Sequence, residues 1–135
     1  MPFRTERNLS DAMLKSILIV GAGSFLGGAL RFLISILMKG ACTSSFPWAT
    51  LTVNLIGCLL IGVIYGLFAR HSNVQHAMCL LLTTGFCGGF TTFSTFANEG
   101  VQMLQSGNFG AFATYASLSL GLGILLVMLG YIVVR

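Results

Sequence analysis

The sequence predicts an all-α integral membrane protein whose chain crosses the bilayer four times. Hydrophobic residues make up 56% of the 135 residues and charged residues only 7%, whereas soluble domains carry roughly 25% charged residues. The mean hydropathy of +0.92 is equally unsuited to a surface in water. A spanning helix needs about 20 apolar residues, so the length allows four spans with short loops. We therefore expect residues 1–135 to form a single transmembrane domain.

The first predicted span runs from about residue 16 to residue 38, between Lys15 and Lys39 as interfacial anchors. The residues before it are polar and of mixed charge, which predicts a frayed or interfacial segment and not a signal peptide. Gly23 and Gly27 are spaced so that helices can approach closely in lipid.

Arg31 is a charged side chain inside this first span. A buried arginine in a membrane costs a few kcal/mol on insertion scales. Two interpretations stay open. The long side chain can snorkel toward the nearer interface, or it can attract anions in a vestibule or pair with carbonyls at a helix end.

The second predicted span covers residues 49–69 and ends before Arg70. Asn54 lies about one turn inside it, where a carboxamide must find hydrogen-bond partners. It can bond to a neighbouring helix, or it can line a pore as a donor.

The third predicted span, residues 76–104, contains the most unusual stretch of the chain. Residues 85–96 hold three glycines, four hydroxyl side chains and four phenylalanines. Glycine and threonine are poor helix formers, and broken helix is tolerated in lipid only where its backbone groups face protein or water. We therefore predict that the third helix is broken near its middle and that the functional site is built on the break.

Residues 109–134 form the fourth predicted span, on which Tyr115 and Ser119 share a helical face. Glu99, late in the third span, is the acidic residue that falls inside a span. No nucleophile with an adjacent base is recognisable, so we do not expect an enzyme. The cysteines lack metal-ligand spacing, and the net charge of +4 forms no basic cluster that would favour nucleic acid.

The predicted break offers three kinds of ion ligand. Backbone carbonyls bind cations and backbone N–H groups bind anions, while hydroxyl groups can replace a hydration shell. Phe93 and Phe96 are spaced i, i+3, so both rings project from one face, where their positive edges can attract an anion weakly. Ordinary helix packing explains the same rings, and the spacing does not decide between packing and permeation.

Three motifs, taken in order, resemble the Fluc (CrcB) fluoride channels of microbes. They are GGALRF at residues 27–32, TLTVN at residues 50–54 and GFCGGFTTFSTF at residues 85–96. The resemblance implies a passive, fluoride-selective channel in the inner membrane of a bacterium, through which cytoplasmic fluoride leaves. It also implies an antiparallel, dual-topology homodimer with two pores along the subunit interface.

The resemblance further implies roles for individual residues. Phe93 and Phe96 would present their ring edges to fluoride. The other pore positions would be Asn54, Ser94, Thr95, Tyr115 and Ser119. Arg31 and Glu99 would lie in the vestibule. A structural sodium ion on the dimer axis would be held by the backbone carbonyls of Gly88 and Thr91 from both subunits.

A small, proton-coupled multidrug transporter is the alternative with a similar four-span architecture. It would need an ionisable carboxylate inside a span, and Glu99 is the candidate. A membrane scaffold without transport activity would explain the close-packing glycines, but it would not explain residues 85–96.

Overall fold

The structure is a computed structural model that describes residues 3–41, 44–71 and 75–135. In those ranges the chain is helical and contains no strand. The elements are α1 (Phe3–Ala41), α2 (Trp48–Arg70), α3 (His76–Leu80), a π-helical segment (Leu81–Cys87), α4 (Gly88–Phe90), α5 (Phe93–Gln105) and α6 (Phe109–Val134). Four stretches are long and apolar enough to cross a membrane: Asn8–Gly40, Trp48–Arg70, His76–Gln105 and Phe109–Val134. The predicted all-α class with four spans is confirmed.

The first helix begins much earlier than the predicted span. α1 starts at Phe3 and continues without interruption into the apolar part, so the amino-terminal segment is not frayed, and its interfacial position stays a prediction. Residues 3–20 contain neither glycine nor proline, and most of the residue types present are adequate helix formers. Polarity marks where a helix leaves the hydrocarbon, and it does not by itself end the helix.

Glycines set the closest contacts between the helices. α1 packs along the π-helical segment and α4, while α2 packs along α6. A Cβ atom on Gly27 of α1 would lie 2.8 Å from the backbone nitrogen of Phe90. A Cβ atom on Gly130 of α6 would lie 2.8 Å from the backbone nitrogen of Val63. In lipid, such close backbone approach supplies the packing that the hydrophobic effect supplies in water.

Large apolar side chains cover the outside of the subunit. Phe25 is 74% exposed, Phe32 67% and Val133 78%, which suits a surface against lipid or another subunit. A small core cluster instead joins α2, α5 and α6 through Leu51, Met103 and Tyr115. This cluster holds the amino-terminal half of α6 against α5.

The connection between α5 and α6 is a tight turn. Gly107 adopts a φ of 75°, a left-handed conformation that side chains other than glycine rarely tolerate. The Gly107 N–H donates to Leu104 C=O at 3.1 Å, and the Asn108 N–H donates to Met103 C=O at 2.9 Å. The turn therefore closes the end of α5 and sends α6 back along it, which brings Tyr115 to Glu99.

Candidate functional site

The helix of the third span is interrupted at Thr91 and Thr92. Thr91 has φ −81° and ψ 157°, and Thr92 has φ −148° and ψ 116°, so both backbones are extended. Thr92 is also the N-cap of α5, because its Oγ1 accepts a hydrogen bond from the Thr95 N–H at 3.3 Å. The interruption removes regular helical partners from several backbone groups, and side chains of other helices bind some of them.

Asn54 of α2 binds both peptide groups of Thr92. Its Oδ1 accepts from the Thr92 N–H at 2.8 Å, and its Nδ2 donates to the Thr92 C=O at 3.1 Å. In an unbroken helix the Thr92 N–H would donate to Gly88 C=O instead. Of the two interpretations of Asn54, the structure shows the interhelical hydrogen bonds directly.

The break changes the hydrogen-bond partners of at least three backbone carbonyls. Gly88 C=O loses the Thr92 N–H to Asn54. Thr91 C=O loses the Thr95 N–H to the Thr92 hydroxyl. The Gly89 C=O accepts from Arg31 Nε at 3.3 Å. Among the interpretations left open for Arg31, the structure therefore shows pairing with a carbonyl at a helix end.

A cavity of about 540 Å³ lies beside the break. The predicted site residues on its wall are Asn54, Gly88, Thr91, Phe93, Phe96 and Ser119. The ring centroids of Phe93 and Phe96 are 5.7 Å apart, and Phe93 is 77% exposed. The Ser119 hydroxyl oxygen is buried and has no hydrogen-bond partner in the described part of the chain. A buried hydroxyl in that state is available to a polar ligand in the cavity.

Glu99 is the centre of a second polar cluster. Its Oε1 accepts from the Thr50 hydroxyl at 2.8 Å, and its Oε2 accepts from the Tyr115 hydroxyl at 2.7 Å. Tyr115 is fully buried, and its ring centroid lies 5.0 Å from that of Phe96. Phe96 therefore connects the cluster to the first cavity.

Tyr115 and Ser119, predicted to share a face of the fourth helix, contact different parts of the site. Ser119 lines the first cavity, whereas the Tyr115 hydroxyl is directed to Glu99. Glu99 and Thr95 line a second cavity of about 640 Å³, together with Lys39 at the end of α1. The predicted residues are thus divided between two cavities that approach each other around Phe96.

The hydroxyls that follow the break form a short network. Thr92 Oγ1 donates to Thr95 Oγ1 at 3.0 Å and lies 3.4 Å from Ser94 Oγ. Ser94 is exposed. Thr92 and Thr50 were absent from the predicted site. Thr92 could have been found from the preference for threonine at an N-cap, and Thr50 from its position one helical turn before Asn54.

Comparison with known proteins places the chain in a family. The family model described as CrcB-like protein, Camphor Resistance (CrcB) matches residues 18–131. The fluoride-specific ion channel FluC of Phocaeicola vulgatus is 49% identical over 117 residues, which are 87% of this chain and 96% of the relative. Proteins of the same name from Azobacteroides pseudotrichonymphae and Flavobacterium psychrophilum are 41% and 38% identical, over 89% and 90% of this chain and 96% and 98% of the relatives. The chain therefore belongs to the CrcB family and is a multi-pass bacterial membrane protein.

Proposed function

We propose that the protein is a fluoride-selective passive ion channel through which cytoplasmic fluoride leaves the cell. The observation that carries the proposal is a relative named fluoride-specific ion channel FluC, 49% identical and matched over 96% of its length. The first cavity agrees with that activity. It combines a carboxamide, an unpartnered hydroxyl and two phenylalanine rings, and none of the described residues on its wall is a lysine or arginine.

These groups suit a small, strongly hydrated anion. Fluoride gives up its water only where several donors replace it, and here the donors are Asn54 Nδ2, the Ser119 hydroxyl and the ring edges of Phe93 and Phe96. Each is individually weak, and conduction requires binding weak enough for the ion to leave. The inside-negative membrane potential supplies about 2.3 kcal/mol per charge per 100 mV for outward movement, so no catalytic step is needed.

The remaining polar groups extend this path. Ser94, Thr95 and Tyr115 are the further hydroxyls of the proposed pore, and Thr95 opens onto the second cavity. Glu99 and Arg31 are assigned to the vestibule of the proposed channel. Glu99 is held by Thr50 and Tyr115, and Arg31 by the Gly89 carbonyl.

The proposed working unit is an antiparallel, dual-topology homodimer in the inner membrane, with two pores along the interface. Two features of the single subunit support it. Phe93 is 77% exposed although it lines the cavity, and Gly88 on the same wall is exposed as well. A second copy of the chain would cover both and close the cavity.

A structural sodium ion on the dimer axis fits the residues at the break. The carbonyls of Gly88 and Thr91 are among those that lose their helical donors at the break, and carbonyl oxygens are ligands for hard cations. Within the described ranges no three His, Cys, Asp or Glu side chains converge, so these carbonyls are the proposed ligands. When bound, the ion would supply a positive charge where two subunits meet.

Fluoride efflux from liposomes containing purified protein tests the proposal. We expect voltage-driven fluoride loss without chloride loss, and we expect Phe93→Ile and Phe96→Ile to slow it strongly. Phe25→Ile, at an exposed phenylalanine of α1, is the matched control and should conduct normally. Absence of fluoride loss from folded protein would refute the channel. Normal loss from both cavity variants would keep the channel and refute the site.

The alternative of a proton-coupled multidrug transporter is not favoured. Its coupling carboxylate would have to be Glu99, which accepts hydrogen bonds from two hydroxyl groups, and the relatives carry the name of a fluoride channel.

A further inference from the structure

We infer that Lys39 is an entry residue of the channel, whose positive charge raises the concentration of fluoride at one mouth of the path without holding the ion. The inference rests on the proposed function, because it concerns how fluoride reaches the cavities already described. The sequence alone makes Lys39 an interfacial anchor, as it does Lys15 at the other end of the first span. The structure distinguishes these two lysines, because only Lys39 lines one of the two cavities.

The second cavity lies at the membrane face opposite the chain termini. Its wall is built from helix ends: Lys39 is in the last turn of α1, Trp48 begins α2 and Ser106 follows α5. Because four successive spans alternate in direction, the α1–α2 and α5–α6 connections share one face of the membrane and the two termini share the other. The cavity is therefore situated at an interface, where ions from water reach the protein.

Thr95 connects this cavity to the first one. Thr95 lies on the wall of the second cavity, and its Oγ1 accepts a hydrogen bond from Thr92 Oγ1 at 3.0 Å. Thr92 in turn lines the first cavity, as does Phe96, the residue that follows Thr95. An anion in the second cavity is thus one hydroxyl-to-hydroxyl contact away from the break in the third span.

Lys39 is the unpaired charge on this wall. Among the described residues that line the second cavity, the charged types are represented by Lys39 and Glu99. The two oxygens of Glu99 accept hydrogen bonds from the hydroxyls of Thr50 and Tyr115, whose dipoles offset negative charge on that side chain. Lys39 is exposed, and in the part of the chain that the structure describes it has no hydrogen bond or ion pair.

The position of this charge suits attraction of the anion and not trapping. A positive charge in a cleft concentrates anions there and speeds their entry. The wall of the first cavity, as far as it is described, contains no lysine or arginine, so the ion would meet the cation before it meets the weak donors of the break. The Debye length is about 30 Å at an ionic strength of 0.01 M and about 3 Å at 1 M. The attraction should therefore act in dilute salt and be screened in concentrated salt.

Fluoride current in planar bilayers of neutral phosphatidylcholine tests the inference, and the neutral lipid keeps headgroup charge out of the comparison. In about 0.01 M sodium fluoride we expect Lys39→Gln to carry about two- to fourfold less current than the unmodified protein, as suits one charge a few ångströms from the ion in water. After addition of about 1 M sodium isethionate on both sides, we expect the two currents to be equal.

Three further variants separate charge from structure. Lys39→Arg keeps the charge and should conduct normally at both ionic strengths. Lys39→Glu reverses the charge, should conduct less than Lys39→Gln in dilute salt, and should approach the unmodified protein in concentrated salt. Lys15→Gln is the matched control, because Lys15 is an exposed lysine of the same helix that lines neither cavity. Its current should equal that of the unmodified protein in both solutions.

The outcomes have different meanings. If Lys39→Gln conducts like the unmodified protein in dilute salt, the inference is wrong while the channel stands. A loss of current that persists in concentrated salt would show a structural effect, and an equal loss in Lys15→Gln would show a general effect of surface charge; either result also overturns the inference. If the unmodified protein conducts no fluoride, the proposed function fails, and the inference fails with it.

Discussion

The third and fourth spans have similar lengths, but the third is interrupted and the fourth is a continuous helix. The third covers His76–Gln105 and contains an 18-residue window with a mean hydropathy of 1.3, whereas the corresponding window of the fourth, Phe109–Val134, has a mean hydropathy of 2.3. α6 is one unbroken helix, whereas the third span is divided into α3, the π-helical segment, α4 and α5. Both must satisfy their backbone groups in a medium without water.

The two spans meet that requirement differently. α6 bonds its backbone within itself, and its Gly130 allows close packing against α2. The third span depends on side chains of other helices: Ser24 and Arg31 of α1 bind its carbonyls, and Asn54 of α2 binds Thr92. The interrupted helix of the third span therefore depends on side chains of α1 and α2 for its backbone hydrogen bonds. We expect substitutions of those side chains to alter the conformation of the site.

The largest effect is expected from separating α1 and the third span. Gly27→Ala would place a Cβ atom 2.8 Å from the Phe90 backbone nitrogen, and since backbone cannot move aside cheaply we expect a loss of about 3 kcal/mol or more in unfolding free energy. Unfolding by SDS titration in mixed micelles measures it. The neighbouring Gly28→Ala is the control, because its nearest atom is 3.8 Å away. Equal stability of the two variants would contradict the close contact.

A smaller effect is expected where the two spans meet at Glu99. Tyr115→Phe keeps a fully buried ring and removes the hydrogen bond to Glu99 Oε2, which should cost about 1–3 kcal/mol because the acceptor loses this donor. Tyr131→Phe, further along α6, should change stability by less than about 0.5 kcal/mol. The same SDS titration compares them, and similar values for both would show that the Glu99 cluster contributes nothing special.

The smallest effect is expected from hydroxyl groups on the two spans. Thr92→Ala removes the N-cap of α5 and should cost about 1 kcal/mol. Thr114→Ala, at an exposed position of α6, should be within about 0.5 kcal/mol of the unmodified chain. A larger loss at Thr114 than at Thr92 would mean that the capping contact is weaker than the structure indicates.

The sequence was informative where the cause of a feature is local. Four apolar stretches of sufficient length predict four spans, and the glycines and threonines of residues 85–96 concentrate poor helix formers in one place. The partners of the break could not be predicted. Asn54 reaches Thr92 across 38 residues and Arg31 reaches Gly89 across 58, and such pairings depend on how the helices are arranged.

Two other features escaped for different reasons. The amino-terminal part of α1 is not predictable from hydropathy, because a drop in hydropathy marks where a helix leaves the hydrocarbon and not where the helix ends. The different contacts of Tyr115 and Ser119 could not be predicted, because helical spacing shows that two side chains share a face but not which neighbouring residues each of them contacts. The Tyr115 ring reaches the α5 side of α6, where Glu99 accepts its hydrogen bond.

α1 is long enough to extend well beyond the bilayer. Its 39 residues, at about 1.5 Å per residue, make a rod of roughly 58 Å, about twice the thickness of the hydrocarbon core. A change in tilt of about 20° would move Asn8, which lies about 10 Å along the helix before Lys15 at about 1.5 Å per residue, through roughly 3.5 Å. A spin label at Asn8 or Ser10 would thus report small reorientations of the helix that holds Arg31 against the Gly89 carbonyl.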